Sequence, residues 1–304
     1  MISDRNEKMK NKIVAVVVTY NRKDMLKECI TALLNQTYHD LDIMVIDNCS
    51  TDGTINLVKN INDSRVIYIN TGENLGGAGG FQFGIREALE RHYEYFWLMD
   101  DDSIPTTRAL DGLIKAAQKI KNYGFLSSKV LWKDHSLCKM NIPKVTINKK
   151  LDNFDGKPSR IAMATFVSFF VPAKVVKKVG LPIKEFFIWA DDLEFSRRIS
   201  RKYPCYFIPD SIIIHKCKTN NGSNIITDEP DRLNRYQYAF RNEVYVYRRE
   251  GVVGWLRIIA KPIVQTGKVL LHSKSQKKRR IRIIIHSTFN GFRFKPRIEY
   301  YKES

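Results

Sequence analysis

The first half of the chain alternates short apolar runs with segments of helical periodicity. A continuous β-branched run predicts a strand buried on both faces at residues 13–19, and further apolar runs predict strands at 42–47, 65–69 and 95–99. Stretches with an apolar residue every three or four positions predict helices at about residues 23–36, 54–60 and 78–91. This alternation is typical of an α/β fold with a mainly parallel sheet and flanking helices.

The pattern continues less regularly in the second half. Helices are predicted at residues 106–120 and 191–201, and extended segments at 125–131, 161–171 and 206–214. Residues 134–158 form a polar excursion, and from about residue 233 onward the periodicity is helical. We therefore expect two parts, a domain of residues 1–230 and a helical C-terminal region of residues 231–304.

Charge is distributed unevenly between these two parts. The 304 residues include 51 Lys and Arg against 32 Asp and Glu, which gives a net charge of +19. Residues 248–304 hold 15 basic and 3 acidic residues, so +12 of the total lies in this last segment. Such an excess indicates an anionic partner, namely phosphate, nucleic acid or membrane lipid.

The basic C-terminal segment predicts an amphipathic helix over residues 252–271. Its polar residues Arg257, Lys261, Gln265 and Lys268 recur at helical spacing, and a basic cluster follows at residues 274–285. We expect this region to attach the protein to an anionic membrane surface. The alternative is a solvated helix face on a region packed against the rest of the protein.

Cysteine usage and hydropathy indicate the compartment. The five cysteines are an odd number without any C-x-x-C pair, which argues against a disulfide framework and a zinc ribbon. The polar N-terminus is followed by an apolar run too short for a signal peptide, and no run reaches the about 18 apolar residues of a spanning helix. We expect a cytoplasmic protein, peripheral on the inner face of the cell membrane.

Three adjacent carboxylates, Asp100, Asp101 and Asp102, follow the apolar strand predicted at residues 95–99. The carboxyl edge of a parallel sheet is where open α/β folds bind ligands. Because three neighbouring carboxylates repel one another, the triplet favours a divalent cation together with a nucleotide diphosphate. The alternative is an Asp-rich turn that caps the following helix.

A glycine-rich segment, NLGGAGGF, spans Asn74 to Phe81 between a predicted strand and a predicted helix. Glycines let backbone N–H groups approach a phosphate or a sugar, and a helix N-terminus favours an anion. The segment follows the third strand and lacks the Lys-Ser/Thr of a P-loop, so it is not a standard nucleotide fingerprint. A flexible turn is the alternative.

A second carboxylate pair, Asp191 and Asp192, follows an aromatic segment that includes Trp189. Rings and carboxylates together suit a sugar, and a carboxylate near a hydroxyl can act as its general base. His215 closes the apolar run IIIH, where a structural role and metal ligation are both possible. Cys217 nearby suggests a soft metal, but His-x-Cys without further thiolates is too little.

With these motifs in this order along the sequence, the chain resembles the family 2 glycosyltransferases of GT-A fold. Within that family it resembles the bacterial galactofuranosyl- and rhamnosyltransferases of surface-polysaccharide synthesis. The matching motifs cover residues 13–215 and are VVVTYNR at 16–22, VIDNCSTDGT at 45–54, NLGGAGGF at 74–81, MDDDSIP at 99–105, WADDLEFSRR at 189–198 and His215. YAFRN at 238–242 and NGFRFK at 290–295 are similar to later elements of this subgroup.

The resemblance implies individual roles on the donor side. Nucleotide-sugar binding would involve Thr19, Tyr20, Arg22, Asp47, Asn48, Asn74, Gly76, Gly77 and Asp101. Mn²⁺ or Mg²⁺ would be held by Asp100, Asp102 and His215.

The resemblance also implies the acceptor side and the reaction. Asp192 would be the catalytic base, and Trp189 and Asp191 would contact the acceptor. Ala190 departs from the galactofuranosyl pattern, which places an aromatic residue directly before the two carboxylates. The implied reaction is inverting transfer of galactofuranose from its UDP-sugar to a lipid-linked or polysaccharide acceptor, with dTDP-rhamnose as the alternative donor.

A nucleotidyltransferase and a nucleic-acid-binding protein are the two alternative classes, and both fit the sequence less well. A nucleotidyltransferase would carry its Gly-rich phosphate loop after the first strand, where this chain has TYNRKD. A nucleic-acid-binding protein would explain the charge of +19 but does not require the two carboxylate clusters and the histidine in this order. We expect no nucleic-acid partner, and the oligomeric state is left open.

Overall fold

The computed structural model describes residues 12–302. Within this part of the chain, nine strands form one sheet: β1 (Ile13–Thr19), β2 (Leu41–Asp47), β3 (Val66–Asn70), β4 (Tyr95–Asp100), β5 (Ser103–Pro105), β6 (Leu126–Trp132), β7 (Ser159–Ile161), β8 (Phe169–Pro172) and β9 (Cys205–His215). The strand order is β3-β2-β1-β4-β8-β6-β9-β5, with β7 also paired to β9.

Helices cover both faces of this sheet and form the C-terminal part. They are α1 (Lys23–Leu34), α2 (Thr54–Lys59), α3 (Gly76–Glu90), α4 (Ala109–Lys119), α5 (Ala173–Val179), α6 (Asp191–Ser200), α7 (Tyr236–Tyr247), α8 (Gly251–His272) and α9 (Lys277–Arg293). Short 3-10 turns occur at Lys184–Phe186 and Pro230–Arg235. The predicted α/β class is therefore confirmed, as is the helical C-terminal region; the division at residue 230 stays a prediction.

The four strands β3, β2, β1 and β4 are parallel and end at one common edge. Thr19 is in register with Asp47, and Val18 with Asp100, so the polar residues that end each strand lie side by side. All of β1 is buried, because its apolar side chains pack into a core on each face of the sheet. The four strands predicted here are confirmed, and β3, at the edge of the sheet, is half-buried where β1, β2 and β4 are largely buried.

The second half of the sheet is mixed, which limits the predicted parallel pairing to part of the sheet. Strand β8 runs antiparallel between β4 and β6, whereas β6 and β9 are parallel. The strand predicted at 161–171 is wrong as one element, because residues 162–168 leave the sheet between β7 and β8. They are apolar because they fill the core: the Phe166 ring lies 4.6 Å from that of Phe81 and 5.9 Å from that of Phe195.

Helix α8 turns two of its cations, Arg257 and Lys261, inward and most of its apolar side chains outward, whereas Lys268 near its end is exposed. The Arg257 guanidinium lies 4.4 Å from the ring of Tyr247, and Lys261 Nζ bonds both carboxylate oxygens of Glu243. The opposite face is strongly exposed at Val252, Leu256, Ile259, Ile263 and Leu271. From residue 12 to residue 302, no helix has both the length and the apolar character needed to cross a bilayer.

Candidate active site

A cleft of about 990 Å³ opens at the edge where the parallel strands end. One wall carries Arg22, Asp100, Asp102 and His215 at the sheet edge, and a second wall carries Trp189, Asp191 and Asp192. Helices α7 and α8 close one side with Tyr236, Phe240 and Lys261. The fold thus brings the three predicted clusters, which lie far apart in sequence, into one cavity.

Arg22 organises the carboxylate triplet. Its guanidinium donates to Asp101 Oδ1 and to Asp102 Oδ2, each at 2.8 Å. Asp101 is buried, and its second oxygen accepts the Thr19 hydroxyl at 2.8 Å. Asp101 therefore holds Thr19 and Arg22, while Asp100 and Asp102 face the cleft.

The three carboxylates have different proton affinities because their neighbours differ. Burial, together with the nearby Asp102 carboxylate, raises the pKa of Asp100 to about 6. Burial raises the pKa of Asp101 to about 7 although Arg22 opposes it. Burial also disfavours the charge on Asp102, but His215 and Arg22 outweigh it and lower the pKa of Asp102 to about 2.

His215 ends β9 beside the triplet because β5, which follows Asp102 directly, pairs with it: Ser103 is in register with His215. Its Nε2 lies 3.1 Å from Asp102 Oδ1. Its Nδ1 lies 2.8 Å from Asn141 Oδ1, and the Asn141 amide donates to Thr165 Oγ1 at 2.9 Å. This network directs the Asn141 oxygen to Nδ1, so Nδ1 carries a proton and Nε2 faces the carboxylates.

The glycine segment forms the first turns of α3 instead of a separate loop, which corrects the predicted helix start at residue 78. Gly76 has φ +71°, and a Cβ there would lie 2.2 Å from the carbonyl oxygen of Phe187. The Asn74 side chain accepts the Gly76 N–H at 2.9 Å, and the Asn48 amide donates to the Gly76 carbonyl at 3.0 Å. Glycine is thus needed for close approach, which outweighs its low helix propensity. Gly77 lines the cleft.

Two other predicted donor residues lie at the same sheet edge without lining this cleft. Asp47 ends β2, is buried, and accepts the Tyr68 hydroxyl at 2.6 Å and the Ser50 N–H at 2.9 Å. Tyr20, one residue past β1, is 44% exposed. The predicted contacts of both residues with a nucleotide stay predictions.

The wall that carries Trp189, Asp191 and Asp192 includes a turn with unusual backbone geometry. Phe187, Trp189 and Ala190 all have φ between 61° and 67°, a region that side-chain-bearing residues rarely adopt. Helix α6 begins directly afterwards with Asp191 and Asp192. The turn therefore points both carboxylates from a helix N-terminus into the cleft.

The buried Asn242 of α7 holds this turn, a role that the sequence motif YAFRN did not disclose. Its amide nitrogen donates to the carbonyls of Phe186 and Trp189 at 2.9 Å and of Ile188 at 3.2 Å. The neighbouring Arg241 lies flat on Phe294, 3.9 Å from the ring centre. A residue about 50 positions away thus fixes the turn before Asp192.

Both carboxylates of the turn bind protons more tightly than usual. Burial raises the pKa of Asp192 to about 7, although the Leu193 N–H at 2.7 Å favours the charged form. Burial and the adjacent Asp192 raise the pKa of Asp191 well above its usual range. A group with a pKa near neutrality is suited to accept a proton and release it again.

Aromatic and basic side chains also line the cleft. The rings of Trp189 and Tyr236 meet edge to face with centres 5.0 Å apart. Lys218 and Arg235 are further lining residues, and neither forms an ion pair with any residue between 12 and 302. The lining thus combines apolar rings with positive charge.

Comparisons with known proteins agree with this geometry. The model of the family "Glycosyl transferase family 2" matches residues 14–174, which are 161 of the 304 residues. Galactofuranosyltransferase GlfT1 of Mycolicibacterium smegmatis is 24% identical over 262 residues, which cover 79% of this chain and 84% of the relative. An Escherichia coli protein, UDP-Glc:alpha-D-GlcNAc-diphosphoundecaprenol beta-1,3-glucosyltransferase WfaP, is 29% identical over 119 residues, which cover 39% of this chain and 46% of WfaP.

Solved structures share the fold. TarS of S. aureus in complex with UDP superposes with a TM-score of 0.55 at 13% identity and covers 93% of this chain and 72% of TarS. Mannosyltransferase PcManGT from Pyrobaculum calidifontis, in complex with GDP-Man and Mn²⁺, gives a TM-score of 0.55 at 15% identity, covering 91% and 73%. With a family model matched over more than half of its length, the chain belongs to glycosyltransferase family 2 and has the GT-A fold.

Proposed function

We propose that this glycosyltransferase is an inverting, metal-dependent enzyme that moves a hexose from a UDP-sugar to a lipid-linked acceptor in bacterial surface-polysaccharide synthesis. The observation that carries the proposal is the placement of Asp192 in one cleft with Asp100, Asp102 and His215. A donor diphosphate at the sheet edge and an acceptor hydroxyl at the turn would then meet inside this cleft.

Asp100, Asp102 and His215 fit a divalent metal ion. Asp102 Oδ1 and His215 Nε2 lie 3.1 Å apart, close to the separation of about 3 Å between adjacent ligands of one ion. Burial lowers the pKa of His215, but its bonds to Asp102 and to the thiols of Cys138 and Cys217 raise it to about 12, so a proton lies between Nε2 and Oδ1. A metal ion held by both atoms would take the place of that proton. A bound Mn²⁺ or Mg²⁺ would stabilise the charge that develops on the diphosphate leaving group.

The residues of the chain account for the remaining requirements. Asp192 accepts the proton of the acceptor hydroxyl while the hydroxyl oxygen attacks C1 of the donor sugar from the face opposite the diphosphate. One displacement of this kind inverts the anomeric configuration. Arg22 keeps Asp102 oriented by holding its second oxygen, and Trp189 offers a ring face for the acceptor sugar.

UDP-galactofuranose is our preferred donor. GlfT1 supports this choice because its similarity extends over 79% of the chain, past the segment matched by the family model. dTDP-rhamnose stays the alternative donor. Incubation of the purified protein with a panel of UDP- and dTDP-sugars, Mn²⁺ and lipid-linked acceptors, with mass detection of products, decides between them. Absence of transfer from every nucleotide sugar would refute the proposal.

The cleft lining supports a lipid diphosphate as the carrier of the acceptor. Lys218 and Arg235 supply positive charge for a diphosphate, and Trp189 with Tyr236 supplies an apolar surface. WfaP, which is similar over 39% of this chain, is named for a diphosphoundecaprenol substrate. These lining residues therefore favour an acceptor that carries an anionic group.

We also propose a peripheral position on the cytoplasmic face of the membrane, and the exposed surface of α8 and α9 supports a lipid contact. Apolar side chains there are 53–78% exposed at Val252, Leu256, Ile259, Ile263, Leu270, Leu271 and, on α9, Phe289. Lys274, Lys277, Lys278 and Arg282 are exposed beside them, whereas Arg280 is buried and bonds the carbonyls of Ile225 and Asp228. An apolar face next to exposed cations matches an anionic lipid surface.

A further inference from the structure

The fold supplies the thiol that the His215-x-Cys217 motif lacks in sequence. After β6 the chain turns back, Leu131 bridges Leu137, and the Cys138 N–H donates to the Val130 carbonyl at 3.0 Å. This turn carries Cys138 to the end of β9, where His215 and Cys217 lie. Two thiols and one imidazole from opposite parts of the sequence therefore meet.

The distances between these three side chains are close to those between the ligands of one metal ion. The Sγ atoms of Cys138 and Cys217 and a ring nitrogen of His215 all lie within 4.8 Å of one another. Cys138 Sγ is 3.7 Å from His215 Nδ1. Tetrahedral zinc, with Zn–S of about 2.3 Å and Zn–N of about 2.0 Å, separates these two atoms by about 3.5 Å. Small side-chain rotations would complete the arrangement.

The three side chains are also shielded as zinc ligands commonly are. Cys138, His215 and Cys217 are 1%, 6% and 9% exposed. Coordination replaces the two thiol protons by one divalent ion, so the site stays neutral in a poorly solvated place. Cys217 lines the active-site cleft, so water can enter as a fourth ligand.

We propose that Cys138, Cys217 and His215 Nδ1 bind Zn²⁺ at a site separate from the carboxylate triplet. Sulfur ligands favour Zn²⁺ over Mn²⁺ and Mg²⁺, which favour the oxygens of Asp100 and Asp102. The two sites share one imidazole through its opposite nitrogens, because Nε2 lies 3.1 Å from Asp102 Oδ1.

This shared ring has a functional consequence, which rests on the proposed metal-dependent transfer. Zn²⁺ on Nδ1 takes the place of the proton that points to Asn141, and this proton leaves to solvent. The neutral imidazole then keeps its one proton on Nε2, directed at Asp102 Oδ1, so Nε2 cannot bind Mn²⁺ at the same time. Micromolar Zn²⁺ is therefore expected to inhibit Mn²⁺-supported transfer, and loss of the two thiols is expected to relieve that inhibition.

Cobalt binding tests the site without an activity readout. The full-length protein, fully reduced, is titrated with Co²⁺, and thiolate-to-cobalt charge transfer is followed in the near ultraviolet. The band is expected to saturate at one equivalent in the wild type and to vanish on addition of Zn²⁺. Cys138→Ser and Cys217→Ser are expected to weaken Co²⁺ binding at least 10-fold, whereas Cys49→Ser, a half-buried thiol at the other end of the sheet edge, leaves it unchanged.

Two comparisons keep this test independent of folding and of the transferase proposal. Circular dichroism of both cysteine variants identifies any unfolding, and Cys217, which is less buried than Cys138, gives the milder substitution. Asp100→Asn is expected to keep the cobalt band while it loses transfer. A wild-type protein without the band, or folded serine variants that keep it, would overturn the zinc site and leave the transferase proposal intact.

Discussion

Two walls of the cleft, which we name for their proposed roles, are built by different means: the donor wall carries Arg22, Asp100, Asp102 and His215, and the acceptor wall carries Trp189, Asp191 and Asp192. On the donor wall, parallel register alone aligns the ends of β1, β2 and β4, which places Thr19, Asp47 and Asp100 along one edge. On the acceptor wall, a turn with three left-handed residues depends on Asn242. The donor wall is thus fixed by regular backbone structure, while the acceptor wall depends on contacts from the C-terminal helices.

The turn of the acceptor wall has a conformational cost that the strands of the donor wall do not have. A left-handed conformation costs a non-glycine residue about 1–2 kcal/mol, so Phe187, Trp189 and Ala190 together need support. The Asn242 amide bonds to three carbonyls of this segment supply part of it. Substitutions should therefore separate the two walls: donor changes alter nucleotide binding, and acceptor changes alter transfer alone.

The sharpest separation is expected from Asp192→Asn. The amide keeps the shape of the side chain but cannot accept the proton, so we expect kcat to fall by roughly 1000-fold. UDP affinity is expected to stay within about twofold, because Asp192 lies on the acceptor wall. Radiolabelled sugar transfer and UDP calorimetry measure the two quantities. Transfer at the wild-type rate would remove Asp192 as the base.

Asp102→Asn is expected to give the opposite pattern in binding. Loss of the charge facing His215 and Arg22 weakens the metal site, and we expect kcat to fall about 100-fold. UDP binding should also weaken and lose its dependence on Mn²⁺, unlike in Asp192→Asn. Calorimetry with Mn²⁺ and with EDTA makes the comparison. Unchanged Mn²⁺-dependent UDP binding would contradict the assignment of the metal to this wall.

Asn242→Ala tests whether the turn depends on α7. With three carbonyls left unsupported, the carboxylates shift, and we expect kcat to fall about 30-fold with a raised KM for the acceptor. The KM for the donor should not change. Asn290→Ala, an exposed asparagine on α9, is the matched control. A parallel rise in both KM values would indicate a general loss of structure instead of a positioning role.

Replacement of Leu256 and Ile263 by Asn tests the membrane face. The side chains are 62% and 67% exposed, so the double variant should fold normally but bind anionic phosphatidylglycerol vesicles about 10-fold more weakly. Ile55→Asn, 38% exposed on α2, is the control. Vesicle sedimentation measures binding. Equal binding by the double variant and the wild type would exclude this face as the lipid contact.

The pH dependence of kcat is the smallest of these effects. Asp192 has a pKa near 7 and must be ionised to accept a proton, so transfer rises as pH increases through 7 and then levels off. Between pH 8 and pH 6.5 we expect a decrease of about fourfold. Initial rates at saturating donor and acceptor give the profile. A rate that is constant over this range would disagree with a buried base.

Prediction from sequence succeeded where local pattern decides structure. Continuous β-branched runs specify buried strands, so β1 and its partners were predicted closely, and strand order then placed the carboxylate triplet at the sheet edge. The pattern could not separate a core-filling segment such as 162–168 from a strand, because both are apolar. Asn141 and Asn242 were missed because their partners lie far away in the chain.

The outward apolar face of α8 shows the same limit. Sequence periodicity identifies two faces of a helix but not which of them meets the protein. Here Lys261 pairs with Glu243 and Arg257 lies on Tyr247, so these two cations face inward, while Lys268 stays exposed. Partners on another helix set the orientation, and a single amphipathic pattern does not contain them.

The carbonyl of Phe187 connects the turn before Asp192 to the first turn of α3. It accepts the Ala78 N–H at 3.1 Å, and it is the atom that a side chain at residue 76 would strike. A nucleotide sugar seated against the first turn of α3 would therefore press on the turn before Asp192 through a single hydrogen bond. In kinetic terms, the enzyme should follow a compulsory order, with the donor bound before the acceptor.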